Sequence, residues 1–386
     1  MIRLLSLPLL LLVGAAEPPP IDYAADARAL DRIVVENYAY ADHWRGGALP
    51  DSPALAAERG AVHDRDSLLH YAENRIASLA DHHAITGGSF KDSWAIVPTY
   101  ADLWIVQRGD DYVVDAVKRD SPAVRAGIVA GDRLSAIGGV PTAQAVARYW
   151  QTLGLTVTPE RAGYAARVLA AGRRDRPRAL TVMHGGIAQT VTLPSLYTIN
   201  RDLPPLNILA DSKSPTRIRI NNSLGEQATI GAFDAAMAAL PLRDTVIIDL
   251  SDTPSGGNTS VARAMMSWFV RAPTSYQVHS LPAEERKTGI ARQWTEQVLP
   301  RAGKYHPGKA IVRVGRWTGS MGEGIAIGFR AIGAEVCGGP MAQLKGAVYD
   351  FSLPASGIVV KLPAERLTTT DGTPREDFVP GQCPVD

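Results

Sequence analysis

The sequence has little cysteine, almost no net charge and no long apolar run within the chain. Only Cys337 and Cys383 occur among 386 residues, which excludes a disulfide-rich scaffold and a zinc site built from cysteines. The 40 Lys and Arg residues balance the 39 Asp and Glu residues, so a net charge of +1 provides no uniform field for nucleic acid or an anionic membrane. No nucleic-acid partner is therefore expected. A hydrophobic content of 46% is enough for a sizeable core, divided among two or three domains.

The N-terminal segment predicts export. Arg3 precedes an apolar run from Leu4 to Val13, and Gly14-Ala15-Ala16 has the small residues of a cleavage site. We therefore expect residues 1–16 to be a signal peptide and the mature chain to be periplasmic or secreted. The alternative is an uncut segment that keeps the chain in contact with a membrane. Export allows the two cysteines to form one disulfide, and two free thiols are the alternative.

The periodicity of apolar residues divides the mature chain into three regions. Helical spacing predicts an N-terminal helical region, short β-type runs predict a β-rich module, and alternating strand and helix patterns are typical of an α/β core with a largely parallel sheet. The predicted boundaries are residues 17–93, 94–200 and 201–386. In the core, the polar stretch Pro273–Pro300 is interpreted as a solvated surface excursion, with a mobile loop or helix beside a cleft as the alternative.

A specific motif lies in the β-rich module. The run from Asp120 to Leu134 combines a short helix closed by Gly127 with a glycine turn and a strand. It resembles a PDZ domain, a module that binds an extended peptide as an added strand. The resemblance implies a peptide-binding loop at Ala101, Asp102 and Leu103. That loop lacks glycines and the charge of Asp102 would repel a carboxylate, so a module that only packs against the core is the alternative.

Two loops of the core follow apolar strands. The strand from Thr245 to Leu250 leads to Gly256-Gly257 at the edge where α/β sheets bind ligands. The strand from Ile311 to Val314 leads to Ser320 at the start of an apolar helix, where the backbone N–H of Met321 has no partner within the helix. Ser320 is therefore a candidate nucleophile, and a serine that only caps the helix is the alternative.

Lys345 lies 25 residues after Ser320. Together with the PDZ-like run, the Gly-Gly loop and Ser-x-x-Glu at a helix start, this spacing resembles the carboxyl-terminal processing (tail-specific) protease family from about residue 67 to the end. The resemblance implies a crotonase-like α/β core, with Ser320 as nucleophile and Lys345 as a buried, neutral general base. It also implies Met321 with Gly256 or Gly257 as oxyanion donors, and Glu323 as a support for the loop.

One residue departs from the family pattern, and one segment offers another candidate base. Tyr349 stands where the family often has a glutamine that orients the lysine, so we expect Tyr349 to take that supporting role. Asp81-His82-His83 resembles a segment from which some branches recruit a histidine to a different catalytic set. Because Lys345 is present, we expect both histidines to be structural, and no motif indicates a metal site.

The resemblance implies an exported serine endopeptidase that acts on unfolded or C-terminal polypeptide segments through a Ser-Lys dyad and an acyl-enzyme. It implies no cofactor. The alternatives are a catalytically silent PDZ-containing peptide-binding or scaffold protein of the same fold, and a small-ester hydrolase. They differ in whether Ser320 reacts and in which substrates it turns over.

Overall fold

The computed structural model describes residues 20–199, 202–211, 214–254 and 256–383. The predicted signal peptide lies outside this part of the chain. Within it, no helix combines the length and the apolar character needed to cross a bilayer.

The N-terminal region is helical, as predicted. The side chain of Asp22 caps the first helix and that of Asp64 caps the third. The second helix was not predicted from the sequence. The region ends in a two-residue strand that pairs with a strand near the C-terminus, so the two ends of the chain share one apolar cluster. Its elements are α1 (Tyr23–Asn37), α2 (Pro53–Gly60), α3 (Arg65–Ala77) and β1 (Ile85–Thr86).

The β-rich module is an antiparallel sheet with three helices. Its first two strands form a hairpin, and the first of them is one edge of the sheet order β2-β3-β4-β6-β7, with β5 beside β4. The longest helix, α6, packs across the edge strand β2. The elements are β2 (Leu103–Arg108), β3 (Asp111–Val117), α4 (Pro122–Arg125), β4 (Arg133–Ile137), β5 (Val140–Pro141), α5 (Thr142–Thr152), α6 (Pro159–Ala171), β6 (Arg178–His184) and β7 (Ile187–Leu193).

The first sheet of the core confirms the predicted alternation of strand and helix. Four of its strands run parallel and one edge strand runs antiparallel, in the order β14-β13-β10-β9-β8. Apolar residues from these strands and from three helices form the largest core cluster. The elements are β8 (Leu206–Asp211), β9 (Ser214–Ile220), α7 (Ala228–Ala238), β10 (Val246–Asp249), α8 (Thr259–Met266), β13 (Ala310–Val314), α10 (Met321–Ala331) and β14 (Glu335–Gly338).

A second sheet of the core corrects the interpretation of Pro273–Pro300. This stretch forms two antiparallel strands with a short helix between them, and the first strand packs against α10. Alternate polar residues hid this role, because Gln277 and His279 are buried in the sheet although their side chains are polar. The sheet order is β1-β16-β11-β12, with β15 beside β16. The elements are β11 (Thr274–Ser280), α9 (Pro282–Thr288), β12 (Gln293–Val298), β15 (Ala347–Ser352) and β16 (Val359–Thr368).

A disulfide joins Cys337 on β14 to Cys383 near the end of the chain, with their Cα atoms 4.7 Å apart. The cysteines are 46 residues apart, and closing a loop of that size stabilises a protein by about 4 kcal/mol in the chain-entropy description. We expect Cys383→Ser to lower the free energy of unfolding in urea by about this amount. The reduced wild-type protein should unfold like the variant. Equal midpoints for the oxidised protein and the variant would contradict the prediction.

Candidate active site

Ser320 lies directly before α10, after the loop that follows β13. Its φ of 51° and ψ of −110° place it in the positive-φ region, which is strained for a residue with a side chain. Glu323 stabilises this conformation, because its Oε2 accepts the backbone N–H of Ser320 at 2.8 Å. The resulting turn presents the hydroxyl to a cleft of about 1030 Å³ between α10 and the second sheet of the core.

His83 is the partner of that hydroxyl. Nε2 of His83 lies 3.0 Å from Oγ of Ser320, and Nδ1 lies 2.7 Å from the carbonyl oxygen of Lys345. A carbonyl oxygen only accepts, so Nδ1 carries the proton and Nε2 presents its lone pair to the hydroxyl. Burial, followed by the charge of Arg375, lowers the pKa of His83 to about 4. The imidazole is therefore neutral at pH 7, as a general base must be.

The structure contradicts the predicted pairing of Ser320 with the Lys345 amine. Nζ of Lys345 lies 3.2 Å from Oε1 of Glu160 on α6, and 5.6 Å from the ring centre of Tyr40. This side chain lines a separate cavity of about 640 Å³ between the β-rich module and the core. The carbonyl of Lys345 faces His83, and the side chain leaves the loop in another direction. The loop therefore gives the site a carbonyl oxygen instead of an amine.

Glu323 connects Ser320 to the loop whose Lys345 carbonyl contacts His83. Its carboxylate accepts the backbone N–H groups of Ser320 and Gln343 at 2.8 Å and that of Leu344 at 3.3 Å. Burial raises the pKa of Glu323 to about 7, against the opposing effects of Arg375 and these N–H donors. These contacts are those that a supporting residue would make.

Gly256 faces the nucleophile, whereas Gly257 packs against another loop. A methyl group on Gly256 would lie 3.1 Å from Oγ of Ser320, and one on Gly257 would lie 2.3 Å from the carbonyl oxygen of Leu224. Among the described residues, no acceptor binds the backbone N–H of Gly256 or Met321. Both groups are thus available to an oxyanion, and their assignment to that role stays a prediction. The contact of Gly257 with Leu224 indicates a packing role.

Tyr349 does not orient Lys345, contrary to expectation. Its hydroxyl on β15 donates to Glu365 on β16, and Glu365 accepts from Nδ1 of His279 at 2.8 Å. Nε2 of His279 lies 3.2 Å from Glu296. Burial disfavours the charged imidazole, but the two carboxylates more than offset it and raise the pKa of His279 to about 9. Tyr349 therefore belongs to a charged cluster beside the cleft wall and not to the base.

Ala101, Asp102 and Leu103 do not form the predicted peptide-binding loop. The carbonyl of Ala101 accepts the indole N–H of Trp317 at 2.7 Å. The carboxylate of Asp102 pairs with Arg178 at 2.6 Å. All three residues are buried, with exposed fractions of 3%, 1% and 2%. The loop is buried against the core, so it is closed to a peptide.

The two adjacent histidines have different roles. His82 is structural, as expected: Nδ1 lies 2.7 Å from the carbonyl oxygen of Ile96, Nε2 accepts from Arg167 at 2.9 Å, and the ring stacks on Tyr164. The sequence predicts a structural role for His83 as well, whereas its ring contacts the Ser320 hydroxyl, which makes His83 a candidate base. The signal was present in the likeness of Asp81-His82-His83 to a segment that supplies a catalytic histidine. The spacing of Lys345 outweighed it.

Comparisons with known proteins support the fold. The sequence profile of the PDZ domain matches residues 113–153. Among curated proteins, none is significantly similar in sequence. Among solved structures, the photosystem II D1 C-terminal processing protease is 14% identical with a TM-score of 0.56, over 95% of this chain and 93% of that chain. Mature CPAF is 14% identical with a TM-score of 0.58, over 92% and 90%.

A third similar structure is a lipoprotein from Streptococcus agalactiae, 11% identical with a TM-score of 0.50 over 96% of this chain and 94% of that chain. At such identities the likeness concerns the fold, and it extends over the helical region, the PDZ module and the core alike. The description of the core as crotonase-like stays a prediction. The chain contains a PDZ domain and has the fold of the PDZ-containing carboxyl-terminal processing proteases.

Proposed function

We propose that the chain is a serine endopeptidase in which Ser320 is the nucleophile and His83, in place of Lys345, is the general base. The observation that supports this most directly is the hydrogen-bonded series from the Ser320 hydroxyl through both nitrogens of His83 to the Lys345 carbonyl. A nucleophile, a base and a group that orients the base are the elements of a catalytic triad. Here a peptide carbonyl takes the place of the usual carboxylate.

The first half of the reaction forms an acyl-enzyme. Oγ of Ser320 attacks the carbonyl carbon of the scissile peptide bond while its proton passes to Nε2 of His83. The carbonyl oxygen becomes an oxyanion, and we expect the N–H groups of Met321 and Gly256 to stabilise it. The tetrahedral intermediate then breaks its C–N bond, and the imidazolium returns the proton to the leaving amine.

The second half releases the acyl group. Water attacks the ester carbonyl and gives a proton to Nε2 of His83, and the same donors stabilise the second oxyanion. The intermediate breaks its bond to Ser320, whose Oγ recovers the proton from His83. During both steps the imidazolium is next to the Lys345 carbonyl, which stabilises it as a dipole and not as a full negative charge.

We expect kcat/KM to fall in two steps as the pH is lowered. Near pH 7, protonation of Glu323 weakens its hold on the N–H groups of Ser320 and the Gln343-Leu344 loop. Near pH 4, protonation of His83 removes the base. Rates measured from pH 3.5 to 9 should show both steps, and Glu323→Gln should lack the first, because an amide does not titrate. Activity that appears only above about pH 8 in both proteins would favour a lysine base instead.

The substrate is expected to be an extended polypeptide. The cleft is lined by Trp294, Glu296 and other residues of the edge strand β12, so an extended segment has a strand beside which it can lie. The neighbour named for C-terminal processing supports an end of a chain as the preferred segment. We expect the polypeptide to make a second contact in the 640 Å³ cavity that also contains Lys345. Val106 of β2 and Gly163 and Arg167 of α6 line this cavity.

We also propose that the protein is exported. The signal-like N-terminus supports this, and so does the Cys337–Cys383 disulfide, because structural disulfides persist mainly in oxidising compartments. Alkylation of protein taken directly from cells tests the proposal. Export predicts that both thiols are protected until a reductant is added, whereas labelling of both thiols without reductant would contradict it.

The function is tested with purified mature protein, a fluorophosphonate probe and an unfolded polypeptide substrate. The wild-type protein should be labelled at Ser320 and should cleave the polypeptide, and Ser320→Ala should do neither. Labelling with turnover of small esters but not of polypeptide would favour a small-ester hydrolase. The wild-type protein could also be neither labelled nor active, even after a peptide that can occupy the cavity between β2 and α6 is added to the assay. That result would favour a catalytically silent scaffold.

A further inference from the structure

Arg375 binds the same loop that orients the catalytic base. Its Nη2 donates to the carbonyl oxygens of Leu344 at 2.7 Å and Gly346 at 2.8 Å. The carbonyl between them, that of Lys345, is left to accept from Nδ1 of His83. One guanidinium nitrogen therefore holds the peptide groups on both sides of the one that contacts the base. With both neighbouring peptide groups held, the Lys345 carbonyl can reorient only by rotation of its own peptide plane.

Burial of the Arg375 guanidinium without a paired carboxylate in the described part of the chain costs free energy, which is unfavourable for a side chain that only stabilises the fold. Arg375 is 2% exposed. Among the described residues, its Nε has no hydrogen-bond partner and no carboxylate lies within 4.0 Å of its guanidinium. A buried cation without a paired anion costs free energy, and two carbonyl acceptors return only part of it. This cost and the contacts of Nη2 with the Lys345 loop together point to a role in the adjacent site.

The charge of Arg375 also acts on the groups around Ser320. It lowers the pKa of His83 after the larger effect of burial, and it opposes the burial that raises the pKa of Glu323. Asp81 also contacts His83, because its Oδ1 accepts the His83 backbone N–H at 2.9 Å, and burial raises the pKa of Asp81. The Lys345 amine is paired with Glu160. Arg375 is thus the cation that favours a neutral base and an ionised Glu323.

We propose that Arg375 is a positioning residue for the reaction, which fixes the Lys345 carbonyl against Nδ1 of His83. The inference rests on the proposed function, because it assigns His83 as the base. It divides the effect of Arg375 into a geometric part, carried by the two hydrogen bonds of Nη2, and an electrostatic part, carried by the charge. Different substitutions separate the two parts.

The test compares Arg375→Lys, Arg375→Met and Arg375→Ala by kcat, KM and pH profile. Arg375→Met should lower kcat by about 10- to 100-fold with little change in KM, since the loss is in orientation of the base. Both acid steps should move to higher pH. Arg375→Lys keeps the charge but not the paired hydrogen bonds, so its acid steps should stay in place while kcat falls. Millimolar guanidinium, but not methylammonium, should restore part of the activity of Arg375→Ala.

A matched control is Arg286, whose Nη2 donates in the same way to the carbonyls of Glu36 and Tyr38 at 3.0 and 2.9 Å, outside the cleft. Arg286→Ala should leave the acid steps unchanged and show no rescue by guanidinium. The proposal is overturned if Arg375→Met keeps the wild-type kcat and pH profile. It is also overturned if Arg375→Ala loses activity without guanidinium rescue while Arg375→Lys behaves the same way.

A second measurement separates this inference from the proposed function. Histidine NMR of the Ser320→Ala protein, with His83→Gln to assign the signal, reports the pKa of His83 without any turnover. Adding Arg375→Met should raise that pKa and weaken the Nδ1–H hydrogen bond. If the wild type proves inactive but these changes occur, the peptidase proposal fails and the positioning contact stands. If the wild type is active and the His83 signal does not respond, the contact has no influence on the base.

Discussion

His83→Ala is expected to lower kcat/KM by about 10²–10⁴-fold, the contribution that general bases typically make. Without the imidazole, the hydroxyl of Ser320 has no described group within hydrogen-bond reach that can take its proton. The effect should fall on kcat, because the ring acts on the proton and not on the bound polypeptide. The rate of fluorophosphonate labelling, measured beside peptide hydrolysis, should fall in parallel.

The discriminating partner of this experiment is Lys345→Met. It removes the amine and its ion pair with the exposed Glu160 but keeps the backbone carbonyl, so kcat/KM should fall by less than about tenfold. His184→Ala, which changes an exposed histidine of the β-rich module, is the control for histidine loss as such. The opposite ranking, with Lys345→Met inactive and His83→Ala active, would restore the Ser-Lys dyad and remove His83 from the mechanism.

The parts of the fold that were predicted from the sequence depend on local patterns. The strand from Ala310 to Val314 and the helix that starts at Met321 agree with prediction to within one residue, because apolar periodicity and a loop with small residues define them locally. The PDZ-like run was recognised for the same reason. Ser320 followed from these elements, since a nucleophile at a helix start needs only its own segment to be placed correctly.

The proposed base, His83, was missed because its position depends on long-range pairing. β1 begins two residues after His83 and pairs with β16, so that Ile85 is opposite Lys361, a residue far away in the sequence. Neither strand has a sequence signal that identifies the other. The spacing between Ser320 and Lys345 predicted correctly that the Lys345 segment comes close to the site. It carries no information on which group of that residue, amine or carbonyl, faces the site.

Gly256→Ala is expected to lower kcat/KM by about 10²–10³-fold, comparable to the loss of an oxyanion donor. The added methyl group would lie 3.1 Å from Oγ of Ser320 and 3.7 Å from its Cβ. The carbonyl carbon of a substrate must itself come within about 3–3.5 Å of that oxygen, so the methyl group occupies the path of attack. Among the described residues, the added methyl group would meet no atom within 4 Å other than those of the Ser320 side chain, so the fold should be retained.

Two other glycines separate this steric effect from a loss of folding. Gly225→Ala is the matched control, because its methyl group would meet nothing within 4 Å and the φ of Gly225 is not positive. Its activity and thermal unfolding should stay at wild-type values. Gly257→Ala would press against the Leu224 backbone and should lower both stability and activity. The defining result is therefore inactivity of Gly256→Ala at a wild-type unfolding temperature. Wild-type activity in that variant would mean that the substrate carbonyl approaches Ser320 from another side, and that Gly256 donates nothing to the oxyanion.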